Sequence, residues 1–114
     1  MTVTVNFTET FYHTAEQVID HLADFREEAA VIEDVEQLIH WFEDAVSTHP
    51  ERFKVCSDLA KFGIYLYREA IYGKFRLLYS IDKSSGQIRI TGEILLRTNM
   101  DIREHLVEYC LLYR

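Results

Sequence analysis

Apolar residues at alternate positions open the chain. Val3, Val5 and Phe7 are separated by Thr2, Thr4, Asn6 and Thr8, the period of a β-strand. The spacing then changes: Ala15, Val18, Ile19, Leu22 and Phe25 form a stripe at helical intervals, with Glu16, Asp20, Asp24 and Glu27 turned to water. Val35, Leu38, Ile39, Phe42 and Val46 repeat the stripe, with Glu36, His40, Glu43 and Asp44 on the opposite side. Thr14 followed by Gln17 has the form of a capping box, so the pattern predicts helices over about 14–28 and 32–47. Their junction, Glu28–Asp34, holds neither glycine nor proline, which leaves one long bent helix open. His49-Pro50 ends the helical region, because the residue before proline disfavours the helical backbone.

Residues 51–63 read as a short helical turn and loop, with Leu59 and Phe62 as core contacts. Gly63 then releases the chain into three closely spaced strands over 64–97. In the first, Ile64, Leu66 and Arg68 share one face and Tyr65, Tyr67 and Glu69 the other; Gly73 lies in the connection that follows. Phe75, Leu77, Tyr79 and Ile81 alternate with Lys74, Arg76, Leu78 and Ser80. Asp82-Lys83-Ser84-Ser85-Gly86 is a hairpin loop. Ile88, Ile90, Gly92, Ile94 and Leu96 then alternate with Arg89, Thr91, Glu93, Leu95 and Arg97. Thr98 with Asp101 opens a last short helix, striped by Ile102, Leu106, Tyr109 and Cys110. The predicted fold is a two-layer α+β domain spanning residues 1–114. Its N-terminal strand and helical hairpin pack on a small antiparallel sheet, the first strand joins the sheet edge, and a short helix closes the chain.

Charge divides the chain in two. The first 50 residues carry 11 carboxylates against Arg26 alone, a net of −10, and the remaining 64 carry 11 Lys/Arg against 8 Asp/Glu, a net of +3. An overall −7 argues against a nonspecific nucleic-acid binder, which needs dense phosphate neutralisation, but permits a local basic site on the second half. The acidic surface equally suits a positive partner peptide. No apolar run approaches the roughly 20 residues needed to span a bilayer, and MTVTVNFTETF has no basic flank before an apolar stretch. Neither a membrane helix nor a signal peptide is expected, and the expected location is the cytoplasm. Cys56 and Cys110, far apart and without a Cys-x-x-Cys arrangement, read as two buried thiols.

Among residues that carry chemistry, Arg76 and Arg97 form the leading pair. Both break the apolar alternation of their strands and are expected on one uncovered sheet face, where two guanidinium groups would hold a phosphate or carboxylate in fork geometry. The plainer reading is a solvated face with these arginines paired to Glu69 or Glu93. Tyr65, Tyr67, Tyr72 and Tyr79 would stack on bases or anchor a peptide, or would simply pack. Arg68 and Arg89 add positive charge for a substrate or partner, and Lys61 and Lys74 are phosphate-positioning candidates or plain surface lysines. None of His13, His21, His40, His49 and His105 has zinc-ligand spacing, so no metal is expected, and no nucleotide or hydrolase motif implies a cofactor. His105 is a candidate for acid–base work. Glu36 with His40, and Asp20 with Asp24, read as solvated helix faces. The apolar end, with Leu111, Leu112 and Tyr113, completes the core or is covered by a partner.

Three segments of this chain together resemble the ParE/RelE superfamily of bacterial toxin–antitoxin toxins. They are Leu66-Tyr67-Arg68, the run Gly73-Lys74-Phe75-Arg76-Leu77-Leu78-Tyr79-Ser80-Ile81-Asp82, and Ile94-Leu95-Leu96-Arg97-Thr98-Asn99-Met100-Asp101. The order of elements around them agrees. The resemblance implies a plasmid-stabilisation type toxin neutralised by a cognate antitoxin that would cover surfaces such as Leu111, Leu112 and Tyr113. In the RelE branch, basic residues on the open sheet face and a tyrosine or histidine near the C-terminus cut messenger RNA on the ribosome. Arg76, Arg97 and His105, or Tyr109, would fill those roles here. The chain departs from that branch in its acidity and in having no lysine-rich N-terminal half. Its long helical hairpin is more similar to the ParE branch, whose members poison DNA gyrase through protein contact.

Overall fold

In the computed structural model, which describes residues 2–100, strand β1 (Thr2–Phe7) leads directly into helix α1 (Glu9–Leu22). Thr8 makes this junction. Its hydroxyl accepts the Phe11 N–H at 3.0 Å, capping the helix, and donates to the Glu93 carbonyl at 3.1 Å, tying the helix start to the sheet. The helix therefore begins six residues before the Thr14–Gln17 box that the sequence pattern suggests. Thr14 is instead a buried helical residue: its hydroxyl donates to the Phe11 carbonyl at 2.9 Å and accepts the Leu95 N–H at 3.0 Å.

A break at Ala23–Glu27 separates α1 from α2 (Glu28–Thr48), so the helical region is two helices and not one bent one. The α2 helix stops at His49, ahead of Pro50, as expected. After it, α3 (Ser57–Ala60) is a single helical turn closed by Gly63 at a positive φ of 79°. Leu59 is fully buried as predicted, but Phe62 is half exposed, because the chain reverses at Gly63 and turns that ring outward.

The strands are β2 (Arg68–Tyr72), β3 (Phe75–Ser84) and β4 (Gln87–Arg97). Residues 64–67 do not extend β2 as the alternation suggests. The Ile64 N–H donates to the Leu59 carbonyl at 3.1 Å, and the Tyr67 carbonyl accepts the Cys56 N–H at 2.9 Å, so this stretch is held to the α3 segment. Gly73 turns the first hairpin at a φ of 59°. The second is tighter than the five-residue loop expected: Ser85 and Gly86, at φ of 53° and 74°, form the turn, as two-residue hairpins require.

The sheet order is β1-β4-β3-β2. The first strand does sit at an edge, but it runs parallel to β4, so the sheet is mixed and not purely antiparallel. One irregularity decides the packing. Leu78 faces Ile94 while Tyr79 faces Gly92, which leaves Glu93 as an extra residue in β4. Because side chains alternate with a period of two, one added residue exchanges the faces of everything beyond it. Ile88 and Ile90 therefore join Phe75, Leu77 and Tyr79 beneath the helices, together with Phe11, Leu38 and Phe42. Ile94 and Leu96, expected on that same side, lie on the other face with Leu78, Tyr67, Cys56 and Leu59. Gly92 is required at the kink, since a Cβ there would lie 2.4 Å from the Phe7 ring. The result is a small two-layer α+β domain with a second apolar cluster beneath the α3 segment. No described helix is long and apolar enough to cross a membrane.

Candidate functional site

The two arginines singled out by pattern do not share a face. Arg76 pairs in register with Leu96, and Arg97 pairs with Phe75, so they sit on opposite sides of the sheet. The face that carries Arg76 is not open, either; the α3 segment covers it. The Arg76 side chain is nearly buried, and its Nε donates to the Glu69 carboxylate at 2.9 Å. Its Nη2 donates to Glu69 as well and to Asp58 at 3.2 Å, and its Nη1 donates to the Met100 carbonyl at 3.2 Å. Burial opposes the guanidinium charge, but hydrogen bonding and attraction to Glu69, then Asp58, outweigh it and raise the Arg76 pKa. The Cys56 thiol stands beside this cluster, 3.6 Å from Glu69, and burial pushes its pKa up, which keeps it protonated and unreactive. Arg76 is thus a clamp joining α3, β2, β3 and the segment that follows β4. Of the plainer sequence reading, a solvated face with both arginines paired to Glu69 or Glu93, the Arg76–Glu69 pairing holds, but the face is covered and Arg97 does not pair with either carboxylate.

The tyrosines divide in the same way. Tyr67 is fully buried in the second cluster. Tyr79 is fully buried under α2, packed edge-on against Phe42, and its hydroxyl donates to the Pro50 carbonyl at 3.0 Å. Its pKa is pushed up to about 12, chiefly by burial. Neither ring can stack on a base. Tyr65, by contrast, is 68% exposed. Arg68 is spent on the backbone, donating to the Phe53 and Glu51 carbonyls at 2.6 and 3.3 Å. Lys61, Lys74 and Arg89 are exposed surface residues, Lys74 in the Gly73 turn and Arg89 opposite Asp82. His105, Tyr109, Cys110, Leu111, Leu112, Tyr113 and the predicted last helix lie outside the described residues.

The segment between α2 and β2 faces outward. Val55, Phe62, Tyr65 and Leu66 are all exposed, although their backbone is pinned to β2 through the Val55–Arg68 bridge and the Cys56–Tyr67 hydrogen bond. Beside Tyr65 and Leu66 lies a cleft of about 380 Å³ floored by Ile81 and edged by the Glu51–Lys83 ion pair. A second cleft of about 400 Å³, toward Thr48, Pro50 and Ile88, shares that ion pair. The Lys83 ammonium, through its hydrogen bond and its charge, holds the Glu51 carboxyl below its ordinary range. Sequence reading missed this surface because it assigned 64–67 to a strand; the signal available was Gly63, whose left-handed conformation turns the chain back before the strand starts. It also missed Glu93, which is buried in the bulge and accepts the Ser80 hydroxyl at 2.8 Å. Among the described residues no group of three His, Cys, Asp or Glu could hold a metal. No protein-family model matches the chain, and neither does any curated protein.

Proposed function

We propose that this chain is a ParE/RelE-like toxin that acts through protein contact, in the manner of the ParE branch, with DNA gyrase as target and a cognate antitoxin as neutralising partner. The observation that carries the preference for contact over RNA cleavage is the state of Arg76, whose charge is already met by Glu69 and Asp58 inside the protein. Attack of a ribose 2′-OH on its phosphate needs donors free to meet the charge that develops in the transition state. An arginine held by two carboxylates is not free, and Arg97 on the opposite face cannot join it. The family part of the reading is supported by the element order: a strand, two helices, and a three-stranded meander with the first strand laid along the last. Exposed Phe62, Tyr65 and Leu66 on a pinned backbone are anchors of the kind that fill a partner's pockets.

The test is a gyrase assay run beside a primer-extension assay on translated mRNA. Trapped gyrase–DNA cleavage complexes with intact mRNA are expected. Codon-positioned mRNA cuts that disappear on Arg76→Ala or Arg97→Ala would overturn the reading in favour of the RelE-type ribonuclease. Harmless expression without any antitoxin would leave a non-toxic partner-binding module.

A further inference from the structure

Arg97 belongs to a different place from the one its strand pattern suggests, and that place has a definite chemistry. The end of β4 and the C-terminal half of α1 border a partly open cavity of about 130 Å³, room for several water molecules. Its polar walls are Gln17, His21 and Arg97; its floor is Val18 and Leu95. Among the described residues, no aspartate or glutamate lines it. Glu16, Asp20 and Asp24, also on or next to α1, are exposed and do not line the cavity.

We propose that this cavity binds a small oxyanion, a phosphate or carboxylate group, with Arg97 as its principal ligand and Gln17 and His21 completing the polar wall. The site is independent of the toxin reading. Arg26 and Arg76 are neutralised by carboxylates, and Arg68 is spent on backbone carbonyls. Among the described residues Arg97 meets only the Asn99 side-chain oxygen, at 3.4 Å, which leaves most of its planar donor fork unused there while the residue is half-buried. A guanidinium so placed pairs with two oxygens of one anion at once. The Gln17 amide, 3.4 Å from His13 on the same helix, supplies a neutral donor, and the His21 imidazole stands at the last turn of α1. The walls are held in register before any ligand arrives, because the buried Thr14 hydroxyl receives the Leu95 N–H and so locks α1 onto β4 at the cavity floor. An anion bound there meets a pre-formed site and costs little reorganisation.

The experiment is an ¹⁵N NMR titration of the full chain with inorganic phosphate, and separately with acetate, at constant ionic strength set by chloride. Saturable shifts confined to the Gln17, Val18, His21 and Leu95 amides and the Arg97 side-chain N–H are expected. Arg97→Gln should weaken the binding at least tenfold, and Arg89→Gln, outside the cavity, should leave it unchanged. Saturation by phosphate alone assigns a phosphate ligand; saturation by acetate alone assigns a carboxylate. Should Arg97→Gln fail to fold, Gln17→Leu at an exposed helical position serves instead, with several-fold weaker binding expected. Shifts that never saturate, that spread to Lys74 and Arg89, or that survive both variants overturn the proposal.

Discussion

Truncating Arg76 to alanine would leave Glu69 and Asp58 facing each other beside a buried thiol, with no cation between them. Removing one member of a buried ion cluster costs roughly 3–5 kcal/mol, because the partners keep their desolvation and lose their counter-charge. Asp58 is partly exposed, so about 3 kcal/mol is expected for Arg76→Ala, read as a lower denaturant midpoint. A ligand-binding arginine on an open face would cost almost nothing in that measurement. Tyr79 makes a second prediction at this scale. Its hydroxyl is held neutral by burial, with a folded pKa of about 12 against an ordinary 10. The neutral form is the one the fold favours, so its contribution is fully present below pH 10 and is lost as pH rises from 10 through 12. The loss is on the order of 2–3 kcal/mol. Tyr79→Phe should be less stable at neutral pH, by about 1 kcal/mol for the lost bond to Pro50, and should flatten the decline above pH 10 in a pH series of urea melts.

Among the elements, α1 and β4 are coupled more closely than their separation in the chain suggests. Thr8 caps the helix while bonding the Glu93 carbonyl, and six residues later Thr14 receives the Leu95 N–H. Thr8 holds the bulge residue itself and Thr14 the strand just beyond it. Thr8→Ala removes a cap worth about 0.5–2 kcal/mol together with the tie to the bulge. A loss at the upper end of that range is expected in thermal or urea unfolding, against a small loss for Thr48→Ala, whose exposed hydroxyl bonds only its own helix. A single turn of helix, α3, then does what its length alone could not. Tied to β2 at Val55 and Cys56, it covers the sheet face that the meander would otherwise leave open.

Across the whole molecule the two sheet faces have different tasks. One is sealed by the acidic helices; the other is covered by the α3 segment, whose outer side carries Phe62, Tyr65 and Leu66. In the proposed function this outer side is a contact surface. Replacing Tyr65 and Leu66 together by serine should therefore abolish partner capture, at least a tenfold loss in affinity for gyrase or antitoxin in a binding assay. Stability should stay within about 0.5 kcal/mol, because both side chains are exposed. A large drop in unfolding midpoint with unchanged binding would make them packing residues.

Taken alone, the order of residues determined a good deal: β1, the two amphipathic helices, the stop at Pro50, the three strands, the α+β class and the segregation of charge. These follow from local periodicity, proline and turn chemistry, which act within a few residues. Only the tertiary structure decided which way each side chain points beyond the bulge. The extra residue at Glu93 is set by what packs on Gly92, a ring from Phe7 more than 80 positions earlier. No local pattern carries that information. It also decided that Arg97 faces α1, which depends on register, and that Arg76 is a structural clamp, which depends on register and on carboxylates brought in from elsewhere in the chain. An arginine in a strand is legible from its neighbours in sequence; what neutralises it is settled by its neighbours in space.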